Sequence, residues 1–359
     1  MEEDYPLRVV RYSVPFVKSI FPAKNREGLY LVWKDQPEFQ AEVMAEIAPL
    51  PGFSGDTLED SVQQMSVFLD SMKDEYPSPR KKDIIQAAAM YRNDNFLQSS
   101  ADWGIYSLSI HGQQEISPEK SSSPGKLEIP LQVLVTQTPE ELGAEILKED
   151  SPLAWKIQNA KAIKVKIARN FSSGRRKEIL RQDRNKMEIL RQINPHARII
   201  ADANRGLNLD DLAMYADEMS SYGLDYFEDP LDLIEDTFSA LEDFPIALDE
   251  SFLVDEAFMD LVYEPVFRKL RAVVVKPMIL GTRRLEFILQ MADRTKTPVV
   301  FSSSFETAPG IAQIIAYARN SGFANVPAGL DTLEYLDGQK DSYGYRTSQE
   351  HGLVLELSV

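Results

Sequence analysis

No cysteine occurs among the 359 residues of this chain. Disulfides, thiolate catalysis and cysteine-ligated zinc are therefore excluded. Histidine is nearly as scarce: His111, His196 and His351 are the only three, too few for a histidine-rich metal site. Basic residues are outnumbered by acidic ones, 39 to 56, for a formal net charge of −17. A phosphate backbone needs a positive patch, so no nucleic-acid partner is expected. No apolar run approaches the ~20 residues that span a bilayer, so no membrane insertion is expected. The opening MEEDYPLRVV is acidic and lacks the apolar core of a signal peptide. A reducing cytoplasm is the expected compartment. No GxGxxG or GxxxxGK[ST] loop follows any strand-like run, which disfavours an open, doubly wound nucleotide-binding sheet.

What is present fits a soluble globular protein, with 43 % hydrophobic and 26 % charged residues. The length suits one large barrel with a smaller domain. Residues 1–126 read as a mixed α and β domain. LRVVRYSVPF, GLYLVWKD and AEVMAEIAPL are strand candidates. Helical spacing runs from Thr57 to Lys73 through Leu58, Val62, Met65, Phe68, Leu69 and Met72. Another helix is expected from Phe96 to Tyr106. GQQEISPEKSSSPGK, 112–126, is polar and rich in serine and proline, a loop or boundary.

From residue 127 the texture changes. IPLQVLVT, KAIKVKIA, ARIIADAN, LDYFEDP, PIALDES, RAVVVKP, TPVVFSSS and a weak NVPAGLD alternate with helical stretches such as 173–193, 209–222 and 283–294. Eight strand candidates with helices between them predict an α/β barrel of parallel strands over 127–331. The remainder, 332–359, reads as a polar loop and a final strand returning to the first domain.

The ends of those strands carry charge. In KAIKVKIA, Ile163, Val165 and Ile167 share one face and Lys164 and Lys166 the other. Taken alone, this run also fits an edge strand with its lysines in water, and Asp202 at the end of ARIIAD also fits a turn or a helix cap. The order is what tells. Lys166, Asp202, Glu228, Asp249 and Lys276 close five successive runs, spaced 36, 26, 21 and 27 residues apart. A barrel gathers such ends at one mouth, where active sites sit. Three converging carboxylates need a compensating cation. With only oxygen donors available, Mg²⁺ is expected, with Mn²⁺ as the substitute. The carboxylates, a divalent ion and two lysines leave one positive charge, which a substrate carboxylate neutralises. Such a site stabilises an enediolate, the dianion left when a carboxylate loses its α-proton, and one lysine can take that proton.

KVK at 164–166, DAN at 202–204, FEDP at 227–230, LDES at 248–251 and VVVKP at 273–277 together resemble the enolase superfamily. REGLYL at 26–31, AEIAPLPGFS at 45–54, SSSFET at 302–307 and GLDT at 329–332 resemble its o-succinylbenzoate synthase branch, which belongs to menaquinone biosynthesis. The resemblance runs over most of the chain. It implies a (β/α)₇β modified TIM barrel with an α+β capping domain. It implies that Asp202, Glu228 and Asp249 are the metal ligands and Lys166 the general acid and base. Lys276 is then the opposite lysine, stabilising the enediolate through a cation–π contact, and Lys164 keeps Lys166 basic and placed. The implied reaction is syn dehydration of 2-succinyl-6-hydroxy-2,4-cyclohexadiene-1-carboxylate to o-succinylbenzoate, with Lys166 serving both steps.

Further substrate contacts are expected from four places. Ser302, Ser303 and Ser304 read both as a strand-to-helix cap and as a carboxylate cradle at a helix N-terminus. Gly281 and Thr282 form a candidate second cradle. Phe53 and Ser54 are placed to close over the site from the first domain, and Asn204 stands beside Asp202. The expected partner is a small-molecule carboxylate, bound by a monomer. An N-succinylamino acid racemase would use the same two lysines, and a non-catalytic barrel scaffold is the alternative of another class. The 112–126 segment matches nothing in the family pattern.

Overall fold

The computed structural model describes residues 5–17, 23–34, 42–95, 97–111, 126–171, 174–232, 240–249, 264–339 and 342–358. The segment 112–125 lies outside them, as do Glu250 and Ser251 of LDES. The chain begins with an antiparallel sheet of β1 (Leu7–Pro15), β2 (Asn25–Trp33) and β3 (Glu42–Ile47). Helices α1 (Leu58–Glu75), α2 (Lys81–Asp94) and α3 (Ser99–His111) follow. A capping box starts α1: Asp60 N–H donates to Thr57 Oγ1 at 3.2 Å, and Thr57 N–H donates to Asp60 Oδ2 at 2.9 Å. The predicted apolar face then buries Met65, Phe68 and Met72 against Leu29, Leu31 and Ile47. Helix α3 approaches β3 at Gly104, where a Cβ would lie 2.2 Å from Ile47 Cγ1, so only glycine allows this packing.

A seven-stranded parallel sheet follows: β5 (Gln132–Val135), β6 (Ala162–Lys166), β7 (Arg198–Asp202), β8 (Leu224–Glu228), β9 (Ile246–Leu248), β10 (Ala272–Val275) and β11 (Val299–Phe301). Each strand pairs with its sequence neighbour. Between them lie α4 (Pro139–Ile146), α5 (Pro152–Asn159), α6 (Arg176–Ile193), α7 (Leu209–Met219), the short α8 (Ala240–Asp243) and α9 (Glu264–Phe267), and α10 (Pro277–Thr295). Helix α11 (Ala308–Asn320) follows β11. Residues 328 and 329 close the ring. Gln132 N–H donates to Ala328 O at 2.9 Å, and Gly329 N–H donates to Phe301 O at 2.8 Å. The weak eighth strand is thus two residues long. Strand alternation sorts the side chains as expected: Ala162, Ile200, Tyr226, Ala272 and Val300 fill the interior, while Ile163, Val165, Ile199 and Ala201 face the helices. This is the (β/α)₇β barrel with an α+β cap. No helix among the described residues is long and apolar enough to cross a membrane.

Three features differ from the sequence reading. The run IPLQVLVT splits at Leu131: β4 (Lys126–Pro130) belongs to another sheet, and only β5 enters the barrel. The segment 332–359 was expected to return to the cap as one strand. It instead forms a hairpin of β12 (Tyr343–Ser348) and β13 (Gly352–Ser358), and β13 pairs with β4. Its link to the capping sheet is the isolated bridge Phe16–Leu336. The reason is burial: Leu353, Leu355 and Leu357 alternate into the barrel-side core. Helix α2 was not anticipated.

Candidate active site

Strand register levels the charged residues. Lys166 pairs with Asp202 and Asp202 with Glu228 across β6, β7 and β8. Asp249 follows the last residue of β9, and Lys276 the last of β10. Lys164 Nζ lies 2.7 Å from Asp202 Oδ2 and also donates to Glu228 Oε1. Lys166 Nζ lies 2.6 Å from Asp202 Oδ2 and donates to Asn204 Oδ1. Lys276 Nζ lies 2.5 Å from Asp249 Oδ2. All five predicted residues, with Lys164 and Asn204, therefore occupy the C-terminal end of the barrel.

Backbone turns hold this arrangement. After β7 the chain reverses through Asn204 and Arg205, both at positive φ (46° and 57°). Arg205 N–H donates to Asp229 O at 2.6 Å and Gly206 N–H to Ala203 O at 2.9 Å. Asp229 Oδ1 in turn accepts from Asp249 N–H at 2.9 Å. Behind β6, Asp183 of α6 accepts from Ala168 N–H at 2.8 Å, and Lys186 donates to Lys166 O.

The charges are strongly perturbed. Burial opposes ionisation of Asp202, but Lys164 and Lys166 outweigh it and hold its carboxyl well below the usual carboxylate range. Burial, with help from Asp202 and Asp249, pushes Glu228 up to about 8 against the pull of Lys164. Burial also opposes the Lys164 ammonium, yet Asp202, Glu228 and Asp249 hold it far above its ordinary value. Lys164 is a fixed cation and no proton carrier.

As they stand, the carboxylates answer to the lysines. No group of three acidic or histidine side chains among the described residues has ligand spacing. The donor chemistry nevertheless fits a hard divalent cation, because every candidate ligand atom is a carboxylate oxygen. One observation supports the fit: Glu228 Oε2 is buried without a hydrogen-bond partner among the described residues. A buried carboxylate oxygen left bare is costly unless a cation meets it.

A cavity of about 940 Å³ opens over these residues. Lys164, Lys166 and Lys276 line it from the strands, Leu50 and Phe53 from the cap, and Ser302, Ser303 and Ser304 from the loop after β11. Ser54 and Gly281 do not. Ser54 Oγ instead accepts from Leu50 N–H at 2.8 Å and shapes the turn that presents Phe53. Gly281 has φ +66°, and its Cβ position lies 3.0 Å from Ser99 Cα, so this glycine serves the packing of α10 on α3. Thr282 N–H is already taken by Asp102 at 2.6 Å.

The serine reading also needs correction. The helix after them has Thr307 at its N-cap position without a side-chain capping bond, and its N-terminus is filled from the cap domain. Glu46 accepts from Thr307 N–H at 3.1 Å, Thr307 Oγ1 at 2.6 Å and Gly310 N–H at 2.8 Å. No helix N-terminus is left there for substrate. Ser302 Oγ donates to Gly329 O, and Ser303 Oγ shares a hydrogen bond with Thr332 Oγ1. The sequence reading gave no role to Arg169, Arg205, Gln132 or Tyr335, which also line the cavity. GLDT, singled out without a role, supplies cavity residues Gly329, Asp331 and Thr332. Asp331 is buried and paired to Lys156 Nζ at 2.7 Å.

The sequence profile of the family described as enolase C-terminal domain-like matches residues 152–353. An o-succinylbenzoate synthase of Yersinia pseudotuberculosis is 28% identical over 337 residues, covering 92% of this chain and 90% of that one. Among solved structures, o-succinylbenzoate synthase from Thermosynechococcus elongatus BP-1, complexed with Mg in the active site, aligns with a TM-score of 0.60 and 18% identity. It covers 92% of this chain and 94% of its own. A dipeptide epimerase from Enterococcus faecalis V583 aligns with a TM-score of 0.66 and 14% identity, covering 98% and 97%. The last two likenesses concern the fold.

Proposed function

We propose, from the premise that this chain belongs to the enolase C-terminal domain-like family, that it is a Mg²⁺-dependent dehydratase forming o-succinylbenzoate. Membership supports an enzyme; the particular reaction is our reading. The observation that carries it is the pairing of two lysines, Lys166 with Asp202 and Lys276 with Asp249, at one cavity. A carboxylate substrate seated there has an ammonium donor on either hand. The relative named o-succinylbenzoate synthase, aligned over nearly the whole chain, supports the same substrate.

Asp202, Glu228 and Asp249 would hold the ion. Bound there, Mg²⁺ supplies Lewis-acid stabilisation of charge on the substrate carboxylate. The remaining work falls to the chain. Lys166 takes the proton α to the carboxylate of 2-succinyl-6-hydroxy-2,4-cyclohexadiene-1-carboxylate, leaving an enediolate. Lys276 faces that charge as a fixed cation. Lys166, now an ammonium, gives the proton to the departing hydroxyl, which leaves as water as the ring becomes aromatic. Lys164 offsets part of the negative charge of Asp202 and Glu228 throughout. Leu50 and Phe53 exclude water from above.

The second reading is racemisation of an N-succinylamino acid, for which two opposed lysines would each serve one enantiomer. The epimerase neighbours favour keeping it. The test is assay of the purified protein with Mg²⁺ and with chelator, following o-succinylbenzoate formation and, separately, deuterium exchange into each enantiomer of an N-succinylamino acid. Racemisation without o-succinylbenzoate overturns the dehydratase reading. Neither activity overturns both and leaves another acid substrate or the non-catalytic scaffold.

A further inference from the structure

Arg26 opens the REGLYL motif on β2, far in sequence from every charged residue of the mouth. It is 1% exposed. Its guanidinium donates to backbone carbonyls on two sides. Nη1 reaches Pro49 O at 2.8 Å and Glu27 O at 3.2 Å, Nη2 reaches Ala48 O, and Nε reaches Phe305 O at 3.1 Å. Two of these acceptors begin the cap segment 48–54, which carries Leu50 and Phe53 into the cavity. Another lies in the barrel segment 302–305, which carries the three serines. Phe305 stands at φ +62°, a conformation disfavoured for a residue with a side chain. Its carbonyl is held by Arg26 and its ring packs edge-on against Phe16 and Tyr335, at 5.9 and 6.1 Å. A buried guanidinium spread over carbonyls from both domains uses the fork of donors that only arginine has.

We propose that Arg26 is a positioning residue that sets the register between cap segment 48–54 and barrel segment 302–305. It thereby fixes the width of the substrate cavity between Phe53 and the serines. The proposal deepens the dehydratase reading and rests on it for its kinetic part only. Those walls meet the substrate before and during reaction alike, so losing their register weakens binding without slowing proton transfer, which belongs to residues on β6 to β10.

The test uses full-length Arg26→Met, which removes every donor, and Arg26→Lys, which keeps the charge but not the fork. Hydrogen exchange is read in peptides covering 48–55 and 302–307. The amides of Phe53, Ser54, Ser303 and Ser304 are hydrogen-bonded and report on both segments. In Arg26→Met we expect exchange to quicken about tenfold or more in both peptides and to stay unchanged in peptides of β6 to β8. KM should rise about tenfold, with kcat within about threefold of the original. Arg26→Lys should fall between on both readouts, and it decides the matter alone if the methionine variant does not fold. Wild-type exchange in either segment, or an equal increase throughout the protein, overturns the proposal. A fall in kcat at unchanged KM overturns its kinetic part. If the wild-type protein does not dehydrate the substrate, the functional reading fails, while the exchange result still decides the role of Arg26.

Discussion

Replacing Glu306 with glutamine should change how stability depends on pH, by an amount the structure sets. Glu306 is 0% exposed. Ser304 N–H donates to its Oε2 at 2.6 Å, and Oε1 has no hydrogen-bond partner among the described residues. Burial raises its pKa from 4.5 to about 7, against the pull of Arg26 and with help from Glu46. The folded protein therefore holds this proton more tightly than the unfolded chain. The resulting stability is fully present below about pH 4.5 and is lost as pH rises through about 7. A shift of that size corresponds to about 3 kcal/mol at about 1.4 kcal/mol per unit. About 2 kcal/mol of it falls between pH ~5.5 and pH ~8, above the pH where this acidic chain carries no net charge. Glutamine is neutral throughout and has no such slope. The assay is urea unfolding of both proteins across that range. The stability of Glu306→Gln minus that of the original should climb by about 2 kcal/mol from the acid to the alkaline end. Other titrating groups, Glu228 among them, are common to both proteins and cancel. A difference that stays flat to within about 0.5 kcal/mol would mean Glu306 ionises as freely inside as outside, and the reasoning fails.

Other expectations concern the site and its supports. Lys166→Arg should abolish o-succinylbenzoate formation, since arginine scarcely deprotonates, whereas Lys276→Arg should retain a little; equal loss of racemisation in both would favour the racemase instead. Asp249→Ala should lose Mg²⁺ affinity by calorimetry together with Mg²⁺-dependent turnover, and unchanged affinity would remove Asp249 from the ligand set. Gly281→Ala should cost about 1–3 kcal/mol by denaturation, from its positive φ and the approach of Ser99, at unchanged KM; a raised KM with full stability would restore its role as a substrate contact. Lys156→Met leaves the buried Asp331 carboxylate without its ammonium and should cost about 3–5 kcal/mol in urea unfolding, with Asp331→Asn in the same chain recovering part of it.

The lysines and carboxylates were legible because a parallel barrel turns one-dimensional spacing into convergence. A charged residue closing each of five successive strands has nowhere to go but one mouth. The cap helix over 57–73 was legible from its apolar period, and the barrel interior from strand alternation. What stayed hidden depended on partners distant in sequence. Ser302–Ser304 looked like helix-capping residues because nothing nearby announces that Glu46, 261 positions before Thr307, occupies the N-terminus of α11. Gly281 looked like a ligand contact because a glycine required by its own φ and by the approach of Ser99 has the same letter as one required by a substrate. Helix α2, KKDIIQAAAMYRND, has a weak apolar stripe, and it is its place beside α3 that makes it part of the cap.

The pairing of β13 with β4 has a consequence for how the molecule is made. Glu128 on β4 receives Arg346 across 218 positions of sequence, at 3.3 Å, and Leu131 N–H meets Leu353 O at 2.9 Å. The strand that leads into the barrel thus waits for a hairpin synthesised after every other barrel strand. Until that hairpin leaves the ribosome, β4 stays an unpaired edge and the apolar surface due to receive Leu353, Leu355 and Leu357 stays open to water. The cap sheet needs no such delay, since its three strands lie within residues 7–47. Folding during synthesis should therefore run in two stages: an early cap, and a barrel rim that closes only when β13 arrives.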